Sequence, residues 1–404
     1  MGNAISNDPD DSKYFSSSDD EEKEPPKTAT KFVKMGTENE VHYLDTENVS
    51  LAESDENINL SQVLTNRAVD DGIWSIVLPP NKGPSPRTGH FFVYCSDYQT
   101  IFTGYGIKRS GKLLNDVWAL STVDFSWHKL RLTGDKISPR RGSSAIMMDN
   151  YIVIFGGCDE TRHYTDLHTI DVTTGQTLIA ETGGQVPPAQ KGCAIGIYHR
   201  KLYIFGGSDG EETFDNLYIL DFDTMNWSLI RCSIDIGESF AFAPTRHHIY
   251  CYGASKVQAL TVIDMKKQTV YLQDLNCQPP PAGVQGAGMV RAGEYLFFFG
   301  GHIDKQFTKM YCGNIKKNQW FIFYVGPDGE STSMADGKVS KEGFFLLPDV
   351  SDFACAYVPE NRQILAFFGH PHKSPVPVFV VSIGNALSKL NLREDMVSML
   401  YFYD

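Results

Sequence analysis

Six short apolar runs, each closing on small residues, recur along the 404-residue chain at intervals near fifty residues. They are TIFTGYG (100–106), IVIFGG (152–157), LYIFGG (202–207), IYCYGA (249–254), LFFFGG (296–301) and ILAFFGH (364–370). The first small position of each falls at 103, 156, 206, 253, 300 and 369, in steps of 53, 50, 47, 47 and 69. Such a period marks one repeated supersecondary unit that cannot bury its own apolar faces and must stack on copies of itself. Short apolar runs bounded by turn residues read as buried strands. The chain is thereby confined to an all-β array. Its 35 glycines and 12% aromatic residues suit many turns and packed strands.

Other landmarks keep the same beat. Asn-Asp-Val-Trp (115–118), Thr-Asp-Leu-His (165–168) and Asp-Asn-Leu-Tyr (215–218) lie 50 apart. Trp127, Trp227 and Trp320 hold one position of their units, which Thr177 and Val270 occupy in the second and fourth. Units open on Pro86-Arg87-Thr88-Gly89-His90, Pro139-Arg140-Arg141-Gly142 and Pro188-Ala189-Gln190-Lys191-Gly192. This set resembles the kelch repeat, whose pattern is P-R-x-G-H, an apolar run with G-G, D-[LV]-Y-x-[LF]-D, then W six residues on. The third unit shows most of it, in LYIFGG, Leu217-Tyr218-Ile219-Leu220-Asp221 and Trp227. The likeness covers roughly residues 71–382 and is weakest in units 4 and 6, where Ala254 and His370 replace the second Gly.

The resemblance implies a six-bladed kelch β-propeller, each unit giving one blade of four strands. In it, Gly104, Gly156, Gly157, Gly206, Gly207, Gly253, Gly300, Gly301 and Gly369 end inner strands where positive φ and close backbone approach are wanted. Trp74, Trp127, Trp227 and Trp320 pack between blades. Trp74 lies 53 residues before Trp127, and the last unit supplies only three strands. An N-terminal strand is therefore expected to complete the last blade and close the ring. The expected organisation is a tail over 1–70, a propeller over 71–383 with a polar, Gly-rich, flexible insertion loop at about 326–350, and a C-terminal extension over 384–404 that packs on the propeller.

The net charge of −13 is unevenly spread. Residues 1–70 hold 16 acidic and 6 basic residues, a net of −10, and include the run SSSDDEEKEPP (16–26). A segment so charged and so poor in apolar clusters cannot offset its ordering entropy and reads as disordered. Ser16, Ser17 and Ser18 each precede an acidic residue by three, as acidophilic kinases require, although a plain solvating tail explains the run equally well. The opening Met-Gly-Asn-Ala-Ile-Ser fits N-myristoylation at Gly2. One such chain gives only marginal, reversible membrane affinity. The eight cysteines form no C-x-x-C pair, and the first thirty residues hold no apolar signal segment. A cytoplasmic chain, peripheral on a membrane, is the expectation.

Function is less constrained. The resemblance implies mostly adaptor surfaces, with a few enzymes. No nucleophile elbow, P-loop or kinase signature is present. No cofactor or metal is assigned, His302, His370 and His372 being the thin exception. Residues 82–141 carry ten bases against four acids. The bases Lys82, Arg87, Lys108, Arg109, Lys112, Arg131, Arg140, Arg141 and Arg162 are expected to line a partner-binding face for acidic or phosphorylated peptides. The other reading makes Arg87 and Arg140 structural kelch arginines and the remaining bases a solvated edge. Nucleic acid is not expected at a pI near 5.3. A monomeric, non-enzymatic scaffold is the favoured reading. The alternative is a propeller enzyme or small-molecule or metal-binding protein that uses the mouth of the central channel.

Overall fold

The computed structural model describes residues 72–302, 307–341 and 345–384. The readings on Gly2, on Ser16, Ser17 and Ser18, and on the extension beyond 384 fall outside them. Six antiparallel blades follow one another around a central channel. The first five span 91–129, 144–180, 194–230, 241–274 and 285–323. The sixth joins Ala354–Val358, Gln363–Phe367 and Val378–Ser382 to the N-terminal strand Gly72–Val77. That strand pairs antiparallel with Val378–Ser382, from Ile73 opposite Ser382 to Val77 opposite Val378. The ring is thus closed within a blade drawn from both ends of the described chain.

Each blade is apolar on both faces, so its side chains are buried against the neighbours on either side. Three outer-strand tryptophans follow one rule. Each packs on the preceding blade, where that blade's second strand ends. Trp127 meets Phe367 and Phe368 of blade 6 at ring-centroid distances of 5.6 and 5.9 Å. Trp227 meets Phe155 of blade 2 at 5.8 Å, and Trp320 stacks on Tyr252 of blade 4 at 6.1 Å. In blade 2 the buried Thr177 hydroxyl replaces this contact by sharing its one proton between the Thr133 and Asp135 carbonyls, 2.7 and 2.5 Å away.

Trp74 packs at 6.0 Å against Phe345, inside the segment expected to be a loop. That segment is more ordered than its polar sequence suggests. Val325–Pro327 runs parallel to Gly72–Trp74, and Lys338–Val339 pairs with Phe345–Pro348. Phe345 and Leu347 join the core around Trp74. The apolar tetrapeptide Phe345-Leu346-Leu347-Pro348 supplies a buried face that the Gly-rich stretch before it hides from a composition reading.

The glycine register also differs at two units. Gly156–Gly157, Gly206–Gly207 and Gly300–Gly301 all have φ between 66° and 94°. The equivalent pair in blade 1 is Tyr105–Gly106, at 62° and 90°, and in blade 6 it is Phe368–Gly369, at 64° and 75°. Gly104 instead ends the strand Thr100–Gly104. A non-glycine residue in this conformation costs energy. Tyr105 offsets it by complete burial, an edge-on contact with Phe91 at 4.9 Å and a hydrogen bond across the blade junction to His168 Nε2 at 2.8 Å.

Removing residues 71–79 is expected to abolish cooperative unfolding, while removing 1–66 leaves the melting midpoint unchanged. Calorimetry on the two truncations checks this, and equal midpoints would refute closure by the N-terminal strand.

Candidate binding face at the channel mouth

The loops between second and third strands and those between blades share one face. Its inner rim is a ring of left-handed residues, one per blade: Gly89, Gly142, Gly192, Ser239, Gly286 and Asp352, with φ between 52° and 71°. Backbone bonds join four junctions. Gly142 N donates to Gly89 O and Gly192 N to Gly142 O at 2.7 Å, while Gly286 N donates to Ser239 O and Asp352 N to Gly286 O at 2.8 Å. The ring frames a channel cavity of 290 Å³ whose walls include Phe92, Phe242 and Tyr357, with Arg291 deeper in. Burial lowers the pKa of Arg291.

Arg87 and Arg140 do not reach this face. Arg87 is 1% exposed and forms a bidentate pair with Asp116 at 2.6 and 3.2 Å, with further bonds to the Tyr105 and Ser85 carbonyls. Arg140 repeats the arrangement with Asp166 at 2.6 Å and the Gly156 and Ser138 carbonyls, its guanidinium 3.7 Å from the centroid of Tyr164. Both arginines tie the loop after the second strand to the blade entrance. Burial alone would raise the Asp166 carboxyl, but the Arg140 hydrogen bond and charge, with the His168 ring 3.6 Å away, outweigh it and bring it down to about 2. Lys82 and Arg131 lie elsewhere. Asn81, next to Lys82, bonds to the backbone of Trp127 in an outer strand, and Thr133, two beyond Arg131, bonds to Gly175 in the turn before another.

The remaining bases lie on loops of this face. Lys108, Arg109 and Lys112 sit on the blade 1 loop that Thr88, Ile107 and Leu113 pin together. Arg141 bridges to Cys158 in blade 2, and its Cβ lies 3.1 Å from where a Cβ on Gly89 would stand. Arg162 is exposed over the Tyr164 ring at 4.8 Å and lies 3.9 Å from Asp159. Lys191, named in the sequence only as part of a unit opening, holds the Arg141 position in blade 3 and packs on Gly142. The sequence reading also passed over a counterweight. The neighbouring blade 3 loop carries Asp209, Glu211 and Glu212, so the face is basic over blades 1 and 2 and acidic over blade 3. The signal was available as the residue before each unit-opening Gly and as the charge of each loop after a Gly pair.

A family model described as the KLHDC2/KLHL20/DRC7 Kelch-repeats domain matches residues 51–254. The chain belongs to the kelch-repeat family. Among curated relatives, the Rab9 effector protein with kelch motifs of Bos taurus is 28% identical over 194 residues, 44% of this chain and 52% of that protein. Kelch domain-containing protein 10 of Rattus norvegicus is 25% identical over 38% of this chain and 40% of its own length. Acyl-CoA-binding domain-containing protein 5 of Arabidopsis thaliana is 29% identical over 39% of this chain. The match spans only 24% of that relative's length.

Two kelch blades also bring the histidines together. His302 and His370 have ring centroids 6.4 Å apart, and His370 and His372 4.6 Å apart. His302 Nε2 lies 3.1 Å from Ser351 Oγ and 3.4 Å from Asp352 Oδ2. Among the described residues, no three His, Cys, Asp or Glu are arranged to hold a metal ion. No described helix is long and apolar enough to cross a membrane.

His90, the last residue of the first kelch entrance motif, lies in the mouth against Phe368 at 4.8 Å, and neither ring nitrogen is hydrogen-bonded. Burial, helped by the Arg87 charge, holds its pKa down to about 3. Burial likewise lowers His168. The unfolded chain therefore takes up these protons first. Stability from both groups is intact above about pH 6.5 and is lost as the pH falls below it, and Asp166 adds a further loss below about pH 4. The melting midpoint is expected to fall by about 2 °C or more per pH unit between pH 6 and 4.5. His90→Phe should fall less steeply. A midpoint independent of pH in that window would show that these imidazoles are not held neutral.

Proposed function

We propose that the propeller is a non-enzymatic interaction scaffold whose loop face over blades 1 and 2 binds an acidic or phosphorylated peptide. The observation that carries this is that Lys108, Arg109, Lys112, Arg141 and Arg162 lie on loops of one face over blades 1 and 2, once the two structural arginines are set aside. Guanidinium forks and ammonium heads on one sector favour carboxylates and phosphates. The acidic blade 3 loop repels the same ligand and fixes its direction across the face. The chain's own run at 16–26 has the required charge. It masks the face until a stronger acidic partner displaces it. The names of the relatives fit this reading, one of them being described as an effector.

Localisation belongs to the same reading. The protein is cytoplasmic, and a myristoyl group on Gly2 gives it weak membrane contact that the partner strengthens. The propeller works as a monomer and binds no nucleic acid.

Fluorescence anisotropy with a labelled peptide of residues 14–26, phosphorylated at Ser16, Ser17 and Ser18, tests the binding face. The triple change Lys108→Glu, Arg109→Glu, Arg141→Glu is expected to weaken binding by about thirtyfold or more and to flatten its salt dependence. Unchanged affinity would exclude this face. Gly2→Ala is expected to move the protein wholly into the soluble fraction of fractionated cells, and an unaltered distribution would dismiss the lipid anchor.

A further inference from the structure

The outer strand of each blade has one free edge, and in five blades the chain covers that edge itself. The linker leaving one blade lies parallel to the outer strand of the next. Thr133–Gly134 pairs with Gln176–Thr177, Gly183–Gly184 with Asn226–Trp227, Asn276–Cys277 with Gln319–Trp320, and Val325–Pro327 with Gly72–Trp74. The next residue donates its N–H to the carbonyl at the Trp position. Asp135 bonds to Thr177, Gln185 to Trp227, Gln278 to Trp320 and Asp328 to Trp74, at 2.8 to 3.0 Å. A linker side chain also accepts the N–H two residues further along. Asp135 Oδ2 accepts from Ile179, Gln185 Oε1 from Leu229 and Ser331 Oγ from Ile76. On blade 1, Asn81 makes a two-point version with its side-chain amide alone, bonding the Trp127 carbonyl and N–H at 2.7 and 2.8 Å.

Blade 4 is the exception. Its outer strand, Thr269–Asp274, has the same register, with Val270 opposite Ile263 as Trp227 is opposite Leu220. The Val270 carbonyl and the Leu272 N–H therefore point out at the edge. The sheet stops there, and among the described residues no bond covers either group on that side. The preceding linker turns inward instead, burying Ile236 and Phe240 between blades 3 and 4. The strand is six residues long, and Tyr271 and Leu272 are 42% and 47% exposed. An edge with unpaired backbone groups and exposed apolar side chains is a template for strand addition.

We infer that the outer edge of blade 4 is a docking site for an extended segment of another protein, laid parallel to Thr269–Asp274 and carrying Gly followed by Asp, Asn or Gln. Four linkers define that chemistry, three of them through a left-handed residue opposite the Trp position. Gly134, Gly184 and Cys277 take left-handed φ of 84°, 77° and 68°. A Cβ at Gly134 or Gly184 would collide with the Thr177 or Trp227 carbonyl, the counterpart of Val270. The next side chain is Asp or Gln in all four linkers. Of the glycines outside the described residues, Gly36 and Gly343 precede Thr37 and Phe344, and Gly2 carries the lipid of the proposed function.

The probe is a synthetic peptide with the sequence of residues 181–187, titrated onto the full chain while amide exchange is followed. In the free protein the Leu272 amide is expected to exchange at least about tenfold faster than those of Ile179 and Leu229. The peptide should slow it saturably. Two analogues, one N-methylated at the Gln185 nitrogen and one with Gly184→Ala, should each bind about tenfold more weakly. The inference is overturned if Leu272 is already as protected as Ile179, if protection does not saturate or appears elsewhere, or if both analogues bind as well as the parent.

Discussion

A four-stranded sheet that is apolar on both sides cannot stand alone, and the whole molecule follows from that constraint. A linear stack of such sheets would leave two bare faces at its ends. Bending the stack until the ends meet removes both at once. The pairing of Gly72–Val77 with Val378–Ser382 makes the meeting permanent. The core clusters depend on it directly, since Trp74 and Val381 sit in the cluster between blades 5 and 6 and Trp127 packs across the seam between blades 6 and 1.

Closure also explains the two kinds of arginine. A blade entrance must pass close to the loop that follows the second strand, and there Arg87 and Arg140 satisfy carbonyls that the turn leaves over. They are consumed by the architecture. Arg141, one residue on, carries the same charge and is exposed. A basic stretch in the sequence thus divides into buried and exposed residues by position within the repeat.

The sequence spoke clearly wherever one residue type is chemically obligatory. The interblade tryptophans, the Gly pairs of blades 2, 3 and 5 and the closing strand could all be placed from spacing. It spoke poorly where tertiary burial lets another residue take the same backbone. Tyr105 and Phe368 adopt φ values that spacing had assigned to glycine, and Ser239 and Asp352 complete a ring that seemed to lapse in units 4 and 6. The candidate face was half legible. Charge density located the sector, but only the fold separates Lys108 and Arg141 from Arg87 and Lys82. Nothing in local sequence marks the bare edge of blade 4, because what distinguishes it is the path of a linker and not the strand's own residues.

The sixth blade has a consequence for biosynthesis. Its outer strand is among the first parts of the propeller to leave the ribosome, and the strand it pairs with is about 300 residues behind. At about 5–20 residues per second, that is roughly 15–60 s during which Trp74 has no blade to enter. Blades 1 to 5 can form in order over that interval, each covering one face of the last. The first strand must wait, tethered and apolar, for the chain to come full circle. The nascent protein thus carries its greatest aggregation hazard at the start of the fold, and a chaperone that shields residues 72–77 would act on the segment with the longest wait.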